Sequence, residues 1–177
     1  MPRDQYAYVI EYLPNGLADS KERRPSTVIL TESMALLIAA LKKDVAVTSG
    51  QKVYIGGDKR DEIHHIIGRV SPDKLSGFGL QSLSEKIKES IKQEEKRYVS
   101  IINLLGPVNV RLHSLELIPG LGKKTVQKVV EERSKKPFES YQDVDSRVGL
   151  TIGIEKDIEE RIMDELSNKD KYKIFTG

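Results

Sequence analysis

At Ser71-Pro72 the hydrophobic pattern changes its period, and this switch constrains the fold more than any other feature of the sequence. Before it, short runs of β-branched and aromatic residues alternate with turn chemistry. Tyr6–Leu13 closes on Pro14-Asn15-Gly16, a polar loop over 17–25 precedes Ser26–Thr31, and Gln51–Gly56 leads through Gly57-Asp58-Lys59-Arg60 into Glu62–Val70, a pair that reads as a hairpin. After it, apolar residues recur at three- and four-residue steps: Leu80, Leu83, Ile87 and Ile91, then Tyr98, Ile102 and Leu105. Ser82-Leu83-Ser84-Glu85 has the form of a capping box, and Gly106-Pro107 stops the helix. The pattern predicts an α+β chain in successive parts.

One segment resists its neighbours. Ser33–Leu41 is rich in Ala and Leu, which favour helix by propensity, yet every flanking run is β-forming. It reads as a strand because Lys42-Lys43-Asp44 then makes a turn into Val45-Ala46-Val47, giving the five or six short strands that a small closed barrel needs. The expected parts are a β-barrel over 1–72, a connector helix over 73–105 and an all-α domain over 106–177.

Composition removes several classes of chemistry. No cysteine is present among 177 residues, which excludes disulfides, thiolate metal sites and cysteine nucleophiles. The three histidines are His64, His65 and His113; on a strand, the first two point to opposite faces and do not share an ion. No metal or cofactor is expected. No apolar run approaches the roughly 18 residues of a membrane span, and no signal-peptide core follows Met1, so no membrane partner is expected and the location reads as cytoplasmic. The formal net charge is only +2, but between Pro119 and Pro137 six basic residues face two acidic ones, a local +4. The charge is focused rather than large.

That focus coincides with the most informative motif. Leu112 and Leu115 on one side, and Val126, Val129 and Val130 on the other, read as two helical segments interrupted by Pro119-Gly120-Leu121-Gly122. Proline fixes the entry, the glycines permit a sharp elbow, and Leu121 drops between the helices to tie them together. Because the elbow opens directly into a helix, the amides near Gly120, Gly122 and Lys123 are unpaired donors at the positive end of a dipole. With Lys123, Lys124, Thr125 and Lys128 on the following turns, the expected anion is a backbone phosphate, bound without reading a base. The plainer alternative is a tight αα turn with a solvated lysine face.

Pro119-Gly120-Leu121-Gly122-Lys123-Lys124-Thr125 resembles the signature of the helix-hairpin-helix module of nucleic-acid-binding proteins. Lys136–Val144 is similar to the connector between tandem hairpins in competence-type DNA-binding proteins, with Ser140 as a cap. The second hairpin implied by that likeness falls on Val148–Ile154, which lacks Gly-x-Gly and a lysine pair, and so reads as degenerate.

Across most of the chain the order of parts resembles an archaeal family of unknown function that joins an OB-like barrel to a helix-hairpin-helix domain. The residues that carry the likeness are Tyr6–Gly16, Val53–Gly56, Asp61–Arg69 and Arg111–Gly120. The resemblance implies nucleic-acid binding, and the family's gene context beside translation and ribosomal-RNA-modification genes tilts the expected polymer from DNA toward RNA. On such a barrel Tyr6, Tyr8, Ile10 and Tyr12 share one face by the period of two, so the tyrosines could stack bases with Lys59, Arg60 and Arg69 near phosphates. Their alternative is ordinary packing inside the barrel.

The expected function is therefore non-catalytic, largely sequence-independent nucleic-acid binding. Two other readings stand beside it. Some DNA glycosylases place an aspartate about twenty residues beyond a hairpin that carries a lysine, and Asp143, Asp145 and Lys124 resemble that set; base excision, however, needs a deep pocket between helical domains. The third reading is a scaffold that docks ribosomal or repair proteins. The acidic run Glu155, Asp157, Glu159 and Glu160 reads as a solvated helix face.

Overall fold

The computed structural model describes residues 4–19 and 23–177 of the chain. It divides into two compact units, Met1–Lys86 with Glu165–Gly177, and Ile87–Asp164.

In the first unit, strands β1 (Tyr6–Leu13), β2 (Ser26–Thr31), β3 (Leu36–Leu41), β4 (Lys52–Tyr54) and β5 (Ile63–Arg69) form a curled antiparallel half-barrel in the order β4-β1-β2-β3-β5. The Ala/Leu run is indeed a strand from Leu36: six paired residues, Leu37 to Ala40 on both sides, outweigh a helix preference of a few tenths of a kcal/mol each. β4 and β5 are not a hairpin. β4 pairs with β1 and β5 with β3, at opposite edges, so the sheet is open between them among the described residues. Val45–Val47 forms no strand; Val45 and Val47 instead pack onto the inner cluster of Ala7, Val9, Ile29, Ala39, Leu41, Val53 and Ile63.

A bulge in β1 decides which side chains face that cluster. Val9 pairs with Ile29 and Glu11 with Val28, leaving Ile10 as the extra residue. The alternation restarts there, so Tyr6 and Tyr8 lie on the outer face while Tyr12, opposite Thr27, turns inward against the core. The single tyrosine face expected from period two does not form. On the outer face the buried Glu11 carboxylate accepts the amide of Ser76 at 3.2 Å and the Ser76 hydroxyl, anchoring the start of α1 (Gly77–Gln93). The helix thus begins five residues before the Ser82 expected to cap it, and Ser76 holds its first turn by accepting from the Gly79 amide at 3.1 Å.

In the second unit the expected single connector helix is broken. α1 ends at Gln93 and α2 (Glu95–Leu104) begins after Glu94, whose φ of −107° and ψ of 33° depart from helical values. A two-stranded ribbon, β6 (Pro107–Asn109) and β7 (Leu112–His113), leads into a single 3-10 turn over Ser114–Leu117. α3 (Lys123–Lys135), α4 (Tyr141–Val148) and α5 (Ile154–Leu166) follow. Ile87, Tyr98, Ile102, Leu115, Val129, Val144, Ile154, Ile158 and Ile162 are buried, the last three as a stripe of period four along α5. Paired bonds of 2.9 Å between the Asn103 carboxamide and the Phe138 backbone, and a 2.7 Å bond from the Arg133 guanidinium to the Ile102 carbonyl, fix the path between helices.

Ser140 caps α4 as expected, its hydroxyl accepting the Asp143 amide at 3.0 Å. Replacing Ser140 with Ala removes that acceptor and should lower the unfolding free energy by about 1 kcal/mol in urea titrations. Replacement with Gly, which leaves the amide open to water, should cost only a few tenths.

Candidate functional site

The elbow before α3 is built from a buried clamp and an exposed rim. Leu121, only 3% exposed, joins the buried Leu115, Ile118, Val126 and Val129, and its amide closes a turn onto the Ile118 carbonyl at 3.1 Å. Gly120 adopts φ +81°, a left-handed conformation that side chains resist. Gly122, at φ −72° and ψ 169°, is the helix N-cap and brings no side chain to satisfy the first turn. Among the described residues the amides of Gly122, Lys123 and Lys124 meet no acceptor. Gly122, Lys123, Lys124 and Lys128 are exposed and Thr125 is half-buried. Lys128 leans toward the end of α4, its Nζ 3.6 Å from the position that a Cβ on Gly149 would occupy.

The arm that precedes the elbow differs from expectation. Leu112 lies in β7 and only Ser114–Leu117 coils, so the segment is one 3-10 turn rather than an α-helix. His113, expected on that helix, instead caps the turn: its Nδ1 accepts the Leu115 amide at 3.1 Å while Glu116 accepts the His113 amide at 3.0 Å. Burial, aided by the Arg133 guanidinium, holds the imidazole pKa below its ordinary value, which favours the neutral ring that this acceptor role requires.

Beneath the elbow lies a group that the sequence did not single out for this place. Asp157 on α5 is 7% exposed, not part of a solvated face, and both its carboxylate oxygens stand 2.9 Å from where a Cβ on Gly120 would be. Burial, reinforced by the charges of Glu160 and Asp145, pushes its pKa up to about 6. The stripe of Ile154, Ile158 and Ile162 brings it inward, because residue 157 lies three after the buried Ile154 and four before the buried Arg161, on a flank beside the stripe.

The turn between α4 and α5 is chemically different. Gly149 closes α4 in the left-handed region, with its amide and that of Leu150 both donating to the Asp145 carbonyl. The Asp145 carboxylate accepts the Ile154 amide at 2.8 Å, and Glu155 and Asp157 sit in the first turn of α5. A carboxylate already occupies that N-terminus.

In the first unit Tyr6 and Tyr8 do meet cations, though not the expected Lys59, Arg60 and Arg69. Lys52 Nζ stands 4.3 Å over the Tyr6 ring, Lys86 Nζ 3.5 Å over that of Tyr8, and Tyr54 meets Tyr6 edge-on at 5.5 Å. Lys52 pairs opposite Tyr8 across the β1–β4 ladder, a neighbour that no period within one strand reveals. Lys59 is exposed in the loop after β4. Arg60 and Arg69 line a cleft at one end of the half-barrel.

A family model described as "Protein of unknown function (DUF655)" matches residues 3–177. The chain belongs to the DUF655 family. A relative from Methanocaldococcus jannaschii, the uncharacterized protein MJ0038, is 37% identical over 175 residues, which are 97% of this chain and 79% of that protein. The crystal structure of Af1531 from Archaeoglobus fulgidus, also described as DUF655, matches with a TM-score of 0.81 at 37% identity, covering 98% of this chain and 100% of that one.

In this DUF655 chain the two aspartates considered for base excision serve helix ends. Asp145 caps α5, and Asp143 accepts the Glu139 amide at 3.1 Å and pairs with Arg147 at 3.1 Å. His64 and His65 are exposed, and a bulge between Ala40 and Leu41 leaves His64 unpaired in the register, bringing the two Nδ1 atoms within 2.7 Å instead of on opposite faces. Among the described residues no group of three or more such side chains is arranged to hold a metal ion, and no helix is long and apolar enough to cross a membrane.

Proposed function

We propose that this DUF655 protein binds nucleic acid without catalysis, through phosphate contacts at the elbow before α3. The observation that carries the reading is the combination of acceptorless amides on Gly122, Lys123 and Lys124 with two exposed lysines on the same helical turn. Such a site recognises phosphate oxygens and no base edge, so binding is largely indifferent to sequence. The likeness of Pro119–Thr125 to the helix-hairpin-helix signature supports it, and the strand order of the half-barrel supports an OB-like relationship for the first unit. RNA is preferred to DNA, following the gene context of the family, and ribosomal or repair proteins are candidate partners.

The remaining geometry fits this division of labour. The α4–α5 turn, filled by Asp145, completes the helical core and leaves phosphate binding to the first elbow. Tyr6 and Tyr8 with Lys52 and Lys86 supply a second, aromatic and cationic surface, where unpaired bases can stack. Asp143 and Asp145 keep structural duties.

Fluorescence anisotropy with single- and double-stranded RNA and DNA tests the proposal, comparing wild type with Lys123→Glu/Lys124→Glu. The wild type should bind in low salt and the double variant should lose affinity for every polymer. Equal affinity of the two proteins on all four would overturn it.

A further inference from the structure

The antiparallel order brings the start of β1, the end of β2, the start of β3 and the ends of β4 and β5 to one mouth of the half-barrel. A cleft of about 620 Å³ opens there, within the roughly 300–1,000 Å³ typical of small-ligand sites. Leu37, Ile55 and Ile66 give it apolar walls, and these same residues back onto the inner core. Two guanidinium groups line it. Arg60 is anchored, its Nε donating to the Gly56 carbonyl at 2.9 Å and its own carbonyl accepting from Lys42, which leaves the terminal nitrogens of its fork without an acceptor among the described residues. Arg69, exposed at the end of β5, makes no ion pair or side-chain hydrogen bond with any described residue. The acidic lining group Asp4 accepts the Ser33 hydroxyl at 2.6 Å through one carboxylate oxygen.

We propose that this mouth is a mononucleotide-binding cleft, with a base against Leu37, Ile55 and Ile66 and its phosphate on the forks of Arg60 and Arg69. Planar guanidinium forks match phosphate oxygens in pairs, and a flat apolar body fills a slot walled by branched side chains. Asp4 and the Thr31 and Ser33 hydroxyls, also in the lining, offer acceptors to a base's exocyclic amine. The cleft does not involve α3. That its nucleotide can also be a unit of a strand rests on the nucleic-acid reading above.

The experiment titrates the full chain with adenosine 5′-monophosphate, and separately with a single-stranded adenylate trinucleotide, following backbone amide shifts. The expected result is saturable movement at Gly57, Ile66 and Arg69, weakened at least tenfold in Arg69→Ala, and for the monophosphate it is unchanged in Lys123→Glu/Lys124→Glu. Because the Arg69 side chain is exposed and has no partner among the described residues, its variant should keep the wild-type melting midpoint. Tighter binding of the trinucleotide, with displacement of the monophosphate, supports a strand as the source; binding of the monophosphate alone supports a free nucleotide. No saturable shift at the cleft, or equal affinity in Arg69→Ala, overturns the proposal. Loss of polymer binding in the lysine variant while monophosphate binding persists separates the cleft from the elbow.

Discussion

Asp157→Asn should raise the unfolding free energy at pH 7 by about 2 kcal/mol. The buried carboxylate has a pKa of about 6 against 3.8 for an ordinary aspartate, and a difference of that size corresponds to about 3 kcal/mol of destabilisation once the group is charged in both states. A buried carboxamide without a partner gives back about 1 kcal/mol of the gain. The sign follows from proton uptake. Between pH 3.8 and about 6 the folded chain holds more protons at this site than the unfolded one, so the site's contribution to stability falls as pH rises through that window. Above about pH 6 the penalty is complete, and below 3.8 it is absent. Urea titrations at pH 4 and pH 7 should therefore show the variant's advantage only at the higher pH. A constant advantage at both would contradict the burial of a charged group beneath Gly120. Removing this charge should also tighten polyanion binding at pH 7, since both oxygens lie directly behind the elbow.

Reversing Lys123 and Lys124 together should weaken binding on the order of a hundredfold at low salt. An exposed ion contact is worth about 1 kcal/mol, and reversal turns each attraction into a repulsion, with screening reducing the sum. The more specific signature is salt dependence. Each lysine that meets a phosphate contributes about 0.9 to the slope of log affinity against log salt on duplex DNA, and about 0.7 on a single strand. Loss of two contacts should flatten the slope by about 1.8 or 1.4, respectively. A variant with wild-type slope but reduced affinity would point to a folding defect rather than to lost phosphate contacts.

The features legible in the sequence were those set by local chemistry. The change of period at Ser71-Pro72 separates the five-stranded sheet from the helices, Pro119–Gly122 makes the elbow, and Ser140 caps α4 because each depends on a few adjacent residues. The strand reading of Ser33–Leu41 rests on its neighbours, and the pairing of Leu36–Leu41 with β2 and β5 shows why they prevailed. What escaped depended on register and on distant partners. One bulged residue, Ile10, moved Tyr12 to the core, and another, His64, brought two histidines together. β4 and β5 are consecutive, yet they occupy opposite edges because β1 and β3 offer them open ladders. Lys52 and Lys86 reached the tyrosines from β4 and α1, and no spacing within β1 could announce them. Asp157 looked solvated among acidic neighbours until the stripe of Ile154, Ile158 and Ile162 fixed which flank of α5 turns inward.

The central claim is that bare amides at the start of α3 receive a phosphate, and amide chemical shifts read those groups directly. Titrating the labelled protein with a short oligonucleotide in low salt should move the Gly122, Lys123 and Lys124 amides in step with binding, and added salt should return them. If the oligonucleotide binds while these three amides stay fixed, the phosphate-receiving elbow is refuted.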